Sequence, residues 1–283
     1  MALRGAGKSR KDKKPHGEEQ RSLFDSDPVK AAGGRVGRIA GKPPFFSGLE
    51  RALPLAEAGE DEREEDVSAP PKKNGKSIET PSGVVRVQNY MEARELEKLT
   101  VDEGICMFSR NNPERQKVAL VNVSRSEGGN VVAAVNDNAL VGFIGVHRPS
   151  ERERWGKPGH RWLFELGAIE VSRNYRRIGL AEMLLEAAFD DPFYDDKIVL
   201  TTGFTWHWDL EETGMNKMQY HDLGVRLMGR YGFMEMVTDE PNITMDSTNL
   251  FMVRIGNKAS FSRYQKFATL LFTNEWEAML RGF

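Results

Sequence analysis

Cysteine is all but missing from this chain: Cys106 is the only one. That excludes an internal disulfide framework and any cysteine-rich zinc centre. No stretch approaches the ~20 consecutive apolar residues of a membrane-spanning helix. The opening MALRGAGKSRKDKKPHG is basic but lacks the apolar core of a secretory leader. These absences predict a protein of the reducing cytoplasm that uses no membrane and no bound metal. The first 80 residues contain no Trp and no Tyr, only Phe24, Phe45 and Phe46 as aromatics, and 7 of the 13 prolines. Such a segment buries too little apolar surface to offset its ordering entropy. It reads as a disordered, charged extension over 1–80, with one folded domain over 81–283. SAPPKKNGK at 68–76 is the last linker.

The extension is patterned by charge. Residues 1–14 carry six Lys/Arg against one acid, Asp12, and EAGEDEREED at 57–66 is mostly acidic. Like-charge blocks of this kind stay solvated or act as interaction tails. FFSGLERALPLAEA, between them, has amphipathic spacing that Pro54 interrupts. The 283-residue chain has a formal net charge of −2, and residues 81–283 hold more acids than bases. The folded part therefore has no electrostatic footprint for nucleic acid.

The 81–283 region alternates between the two periods. GVVRVQNY (83–90) has strand content, residues 91–109 read as helical, and Asn112-Pro113 opens a second helix through about Val123. SEGG at 126–129 is a turn. VVAAV (131–135) and ALVGFIGV (139–146) are strands joined through Asn136-Asp137-Asn138, a compact hairpin signal. LFELGAIEV (163–171) is a strongly apolar strand, residues 178–189 an apolar-faced helix, and KIVLTT (197–202) another strand. A helix over 216–230, FMEMV (233–237), NLFMVRI (249–255) and a helix near 262–280 complete the order. This is a mixed α/β (α+β) domain of about 200 residues.

The segment with most chemistry in it is Glu170-Val-Ser-Arg-Asn-Tyr-Arg-Arg-Ile-Gly-Leu-Ala181. A strand ends at Val171, a polar turn follows, and a helix opens near Ile178. Unpaired N–H groups at a helix start, with the positive end of the dipole behind them, make a site for phosphate. Gly179 lets the ligand approach the backbone, and Arg176 and Arg177 supply charged donors. The pattern is not a Rossmann fingerprint, since GxGxxG is absent. It is not a Walker loop, because no Gly-Lys-Ser/Thr follows at Gly179.

Arg176-x-x-Gly179-x-Ala181 after an apolar strand resembles the acyl-CoA pyrophosphate loop of the GNAT N-acetyltransferase superfamily. ELGAIEV (165–171), VLTTGFTWHWDLEETG (199–214) and TNLFMVRIGNK (248–258), in collinear order, are similar to the acetoin-utilization acetyltransferase (AcuA) family, with 1–80 outside the likeness. The resemblance implies a mostly antiparallel central sheet flanked by helices, in which strand 163–171 (the family's fourth) splays from strand 197–202 (its fifth). It implies that acetyl-CoA binds in the splay, with amides near Ile169 and Val171 holding pantetheine. Amides of Ile178, Gly179, Leu180 and Ala181 would hold the pyrophosphate. It further implies lysine acetylation of a protein, with AMP-forming acetyl-CoA synthetase as partner. Two other readings keep the cofactor: a small-molecule amine acceptor, or a catalytically silent acyl-CoA-binding regulator.

A lysine amine, with an ordinary pKa near ~10.4, must lose a proton before attack, and a carboxylate can take it. Glu165 and Glu170 lie on one strand five residues apart, so regular alternation sends them to opposite faces. Glu165, eleven residues before Arg176, shares parity with the family's usual base and is the favoured candidate. His207 is the second, an imidazole suited to proton relay that Asp209 would orient. Trp206 and Trp208 are expected to wall the acceptor channel or to pack as core. Many relatives in the superfamily carry a tyrosine acid four residues before the Gly-Phe of the next strand; here Gly232-Phe233 is present but Met228 stands at that place. Tyr220 and Tyr231 do not match the position. Cys106 reads as a core residue of an apolar helix.

Overall fold

The computed structural model describes residues 71–108 and 112–273. The expectations for 1–70, and the part of the C-terminal helix from 274 on, lie outside the described residues. Nine strands make one sheet in the order β1-β2-β4-β5-β6-β7-β9-β8, with the short β3 paired beside β5. They are β1 (Gly75–Thr80), β2 (Gly83–Gln88), β3 (Thr100–Val101), β4 (Asn130–Asn136), β5 (Ala139–His147), β6 (Leu163–Val171), β7 (Ile198–Gly203), β8 (Phe233–Glu235) and β9 (Leu250–Ile255). Only the β3–β5 and β6–β7 pairs are parallel. The helices are α1 (Ala93–Leu96), α2 (Pro113–Arg125), α3 (Leu180–Phe189), α4 (Leu210–Thr213), α5 (Lys217–Gly229), α6 (Pro241–Thr244) and α7 (Phe261–Ala268).

The central strands of the sheet are buried on both faces. On one face Leu184, Leu185 and Ala188 of α3 pack with Val132, Ile144, Leu166, Val199 and Met252. On the other, Leu120, Val121 and Val123 of α2 pack with Val131, Ala133, Phe143 and Ala168. A third cluster joins Trp155 and Phe267 to Leu163, Ile198, Leu200 and Phe251. The run VVAAV is thus covered from both sides, which is why it shows no polar alternation. Asn112 caps α2, its side chain accepting from the Arg115 amide at 3.1 Å, with Pro113 in the first turn.

Three expectations about boundaries change, the first being that the helix expected near 262–280 is α7, which ends at Ala268. The chain is already a strand at Gly75, in register with β2 from Gly75–Gln88 to Thr80–Gly83, so folded structure starts before residue 81. A knot around the buried Asp191 secures this start. Its carboxylate accepts from the Tyr90 hydroxyl at 2.6 Å, the Phe193 amide at 3.0 Å and the Lys72 amide at 3.3 Å. The helix expected over 91–109 is only α1, after which the chain pairs as β3 and turns through 102–108. Asp102 sets that turn: its Oδ1 accepts from the Gly104 amide at 2.9 Å and the Ser172 hydroxyl at 2.5 Å. A β-carbon at Gly104 would meet Ser172 Oγ at 2.3 Å. Local periodicity lost here to a tertiary staple between the 102–108 turn and the end of β6.

Candidate active site

The site begins where two parallel strands part. β6 and β7 pair only through Leu163–Ile198, Phe164–Val199 and Glu165–Leu200. One further bond, Thr201 Oγ1 to the Leu166 carbonyl at 2.8 Å, closes the floor. Beyond it β6 runs on to Val171 against β5 alone, while β7 runs on to Gly203 against β9 alone. The Ser172 amide donates to Val141 on the β5 side at 2.9 Å. Ladder alternation therefore turns the backbone groups of Val171 and Ile169 to the open side. An open strand edge of this kind pairs with an extended ligand as an added strand would.

Glu165 and Glu170 share a face, contrary to the alternation argument. The β5–β6 register passes from Gly145–Ala168 to Val146–Leu166, which leaves Gly167 as a bulge. Phe164 and Leu166 lie in the α3-side core, but after the bulge it is Ile169 and Val171 that pack there, and Ala168 joins the α2-side core. One extra residue reverses the parity, so both carboxylates project to the face of α2 and the 102–108 turn. A β-carbon at Gly167 would meet His147 Nε2 at 2.6 Å, so any larger residue at the bulge has to displace the His147 ring or the strand.

Both glutamates are buried. Glu170 Oε1 accepts from the Cys106 amide at 2.7 Å and the Met107 amide at 2.8 Å. Its Oε2 is buried with no partner among the described residues. Burial pushes the Glu170 carboxyl above the usual glutamate range, against the lowering effect of the Met107, Cys106 and Phe108 amides and of Arg176. Cys106 is not in a helix core: it is half-buried on the turn that Glu170 holds. Burial pushes its thiol up, with Arg173 acting in the opposite direction, so it stays a thiol at neutral pH.

At the upper end of β6 the chain forms a cradle. Ser172 accepts from the Asn174 amide at 3.2 Å and starts one turn of 3-10 helix over Arg173–Tyr175. Arg177 and Gly179 then both take positive φ, 65° and 80°. Left-handed backbone two residues apart curls the intervening amides to one side, and a non-glycine residue holding it marks strain retained for a purpose. Gly179 is the N-cap of α3 and offers no side-chain acceptor to the first helical amides. A β-carbon there would meet nothing nearer than Glu182 Oε2 at 3.8 Å, so the space above the helix start is open. Arg177 is exposed beside it. The cradle fits a pyrophosphate: it has free amides, a helix dipole and a cation, with no side chain filling it.

The β7 wall is aromatic, and its two tryptophans divide. Trp206 is 37% exposed and lies flat on Phe204, with ring centroids 4.5 Å apart and planes 3° from parallel. Trp208 is buried and stacks on Tyr220 of α5 at 5.1 Å, so it is core. His207 sits between the walls, 4.9 Å from Phe108 and 5.9 Å from Trp206. Asp209 does not serve it as an orienter. Its Oδ1 accepts from Arg173 Nη2 at 2.7 Å, and its Oδ2 from Arg173 Nε at 2.9 Å and Arg176 Nη1 at 2.8 Å. Burial alone would raise the Asp209 carboxyl, but the bonds from Arg173 and Arg176 outweigh it and hold the group below the ordinary aspartate range. Arg176 therefore faces a carboxylate, which leaves Arg177 as the loop's exposed cation. Arg176 also reaches back, Nε to the Val171 carbonyl at 3.3 Å.

Met228 is buried in the α3-side core, and Tyr231 is committed elsewhere, its hydroxyl donating to the Glu182 carbonyl at 2.8 Å. Neither takes the place of the usual tyrosine acid. Sequence reasoning did not single out Arg173, which carries two of the three bonds to Asp209. Its spacing from Asp209 has no local signature. The bulge did have a signal, a glycine inside a strand pattern.

Among the described residues no group of His, Cys, Asp and Glu is arranged to hold a metal, and no helix is long and apolar enough to cross a membrane. A model of the acetyltransferase (GNAT) family matches residues 91–202. The acetoin utilization protein AcuA of Bacillus licheniformis is 28% identical over 203 residues, covering 72% of this chain and 96% of that protein. AcuA of Bacillus subtilis is 28% identical over 200 residues, covering 71% and 94%. The crystal structure of an acetoin utilization protein from Exiguobacterium sibiricum superposes with a TM-score of 0.70 at 27% identity, covering 74% of this chain and 98% of that one. The parted strands, the cradle and these matches lead to one assignment: residues 91–202 form an acetyltransferase domain of the GNAT family, and the chain is similar over more than 70% of its length to the AcuA proteins.

Proposed function

We propose that this N-acetyltransferase uses acetyl-CoA to acetylate a lysine of a protein, with AMP-forming acetyl-CoA synthetase as the acceptor, and so lowers that enzyme's activity in acetoin and acetate metabolism. The observation that carries the cofactor part is the parting of β6 from β7 beneath an unfilled phosphate cradle. The amides of Ile178, Gly179, Leu180 and Ala181 hold the pyrophosphate, with Arg177 beside them. The open edge at Ile169 and Val171 holds pantetheine. The relatives' name supports the pathway, and the exposed Trp206–Phe204 face supports an acceptor that arrives from a surface rather than into a closed chamber.

Acetyl-CoA, when bound, supplies an activated thioester. Glu165 removes a proton from the acceptor ammonium, directly or through one water, and the free amine attacks the acyl carbon. A C–N bond forms as the C–S bond breaks, the nitrogen's excess proton passes to the departing sulfur to give the CoA thiol, and the Ile169 amide on the open edge donates to the charge developing on the acyl oxygen. Burial keeps Glu165 out of bulk water, where an amine–carboxylate exchange is most effective. The leaving thiolate has an ordinary pKa near ~8.5 and departs without a tyrosine acid, which fits the buried Met228. Glu170 and His207 line the same face and serve the proton path.

The test is incubation with labelled acetyl-CoA and purified acetyl-CoA synthetase, followed by mass spectrometry of the synthetase. One acetylated lysine and a fall in synthetase activity are expected. An unlabelled synthetase with CoA binding intact would overturn the acceptor. Label moving to polyamines or amino acids instead would assign a small-molecule acceptor.

A further inference from the structure

Among the described residues, backbone pairing joins the two walls of the cleft at one end and an ion triad joins them at the other. At the floor the join is the three-residue β6–β7 ladder. At the mouth it is the ion triad in which Asp209, 3% exposed, accepts all three bonds described above from Arg173 and Arg176. The arginines stand at the two ends of the Arg173–Tyr175 turn that leads into the phosphate cradle. Asp209 is the N-cap residue of α4 and directly follows the aromatic wall of Phe204–Trp208. One carboxylate therefore ties the loop on one bank to the acceptor wall on the other, where no ladder does so.

A phosphate contact would be the ordinary use of an arginine in this loop. Here both guanidinium groups are already paired, with Arg173 bidentate on Asp209 and Arg176 on its Oδ2 alone. Bidentate guanidinium–carboxylate pairs fix orientation as well as distance. The buried stack of Trp208 on Tyr220 holds the Asp209 bank rigid from behind. We propose that Asp209 is a positioning residue: its clamp on Arg173 and Arg176 sets the width of the cleft mouth and links order in the phosphate loop to order in the acceptor wall, and Arg176 acts through this clamp rather than on the phosphates. The inference rests on the reading of the cleft as an acetyl-CoA site.

The test uses the full chain with Asp209→Asn, which keeps the shape and removes the charge. Hydrogen exchange without ligand is expected to quicken by about 10-fold or more in 173–178 and 205–213, while Leu163–Glu165 and Ile198–Leu200 keep wild-type rates. CoA titrated by calorimetry should bind about 10-fold more weakly to Asp209→Asn and to Arg176→Gln, and the double variant should be no weaker than the weaker single one. In steady state the KM values for acetyl-CoA and for acceptor should both rise while kcat at saturation stays within about 3-fold. A merely structural role would instead lower kcat through a smaller active fraction and leave both KM values alone. Losses of CoA affinity that multiply in the double variant would overturn the proposal, because Arg176 would then touch the phosphates independently. So would exchange rates unchanged at the mouth. If Asp209→Asn does not fold, Arg173→Gln removes two of the three bonds from a partly exposed position and carries the same expectations. Wild-type protein that binds no CoA would overturn the functional reading, and the exchange measurement alone would then decide the clamp.

Discussion

The two halves of β6 differ more than their sequences suggest. Leu163–Glu165 is paired with β7, Glu165 also with His147 of β5, and the segment is buried throughout. Leu166–Val171 is just as apolar, yet one of its edges is open and Gly167 bulges out of register. The first half has its outer edge closed by β7; the second leaves the Ile169 groups and the Val171 amide for a ligand, the Val171 carbonyl already accepting from Arg176. A closed edge and an open, cofactor-facing edge thus occupy successive segments of one strand, with Glu165 at their junction. An edge left open inside a sheet is an expense that a fold bears where it binds something.

Several substitutions break that contrast, beginning with the largest expected effect. Gly179→Glu puts an anion and a side chain with unfavourable φ into the cradle, and should weaken CoA binding at least ~100-fold in calorimetry. Unchanged affinity with native circular dichroism would mean that the cradle is not the phosphate site. Glu165→Gln, at the junction of the halves, should lower kcat by about 100-fold and leave CoA affinity at the wild-type value. A neutral result would transfer the proton-accepting role to His207.

Trp208→Ala should destabilise by about 3–5 kcal/mol, since it empties a core position stacked on Tyr220. Trp206→Ala, on the exposed side of the same segment, should stay within about 0.5 kcal/mol in stability and raise the acceptor KM instead. Denaturant titration and steady-state kinetics of the pair separate the two roles. Gly167→Ala should cost about 1–3 kcal/mol, because its methyl group meets the His147 ring or forces the bulge to move.

The smallest effect sharpens the comparison. Glu170 lies past the bulge with one buried oxygen unpartnered and its carboxyl held above the ordinary range by burial. A carboxyl raised in the folded state costs stability once pH exceeds its unfolded value, and the cost is relieved as pH falls below it. Glu170→Gln keeps an acceptor for the Cys106 and Met107 amides and removes the charge. Its melting temperature at pH 7 should equal or exceed that of the wild type by a few degrees, with the gain gone below about pH 4. A lower melting temperature at pH 7 would show that the charge itself holds the 102–108 turn.

Much of this was legible in the sequence where one element decides its own form. LFELGAIEV, the VVAAV/ALVGFIGV hairpin and the helix after Gly179 fall where their periodicity puts them. The site was less legible because it is built from departures. Alternation placed Glu165 and Glu170 on opposite faces, and the Gly167 bulge brought them to one. Helical spacing ran through 91–109, and the Asp102–Ser172 bond turned that segment into the loop that holds Glu170 and carries Cys106. Adjacency suggested that Asp209 orients His207, and two arginines more than thirty residues earlier claimed it instead. Each miss concerns a partner distant in sequence, which composition and period do not encode.

The open edge of β6 is where CoA binding must leave its mark. Hydrogen exchange measured amide by amide, with and without saturating CoA, tests it in the wild-type protein. New protection is expected at Ile169 and Val171 and through Arg177–Glu182, with β4, β5 and Leu163–Glu165 unchanged. Protection that leaves 169–171 and 177–182 untouched, or that appears on another part of the sheet, would contradict it.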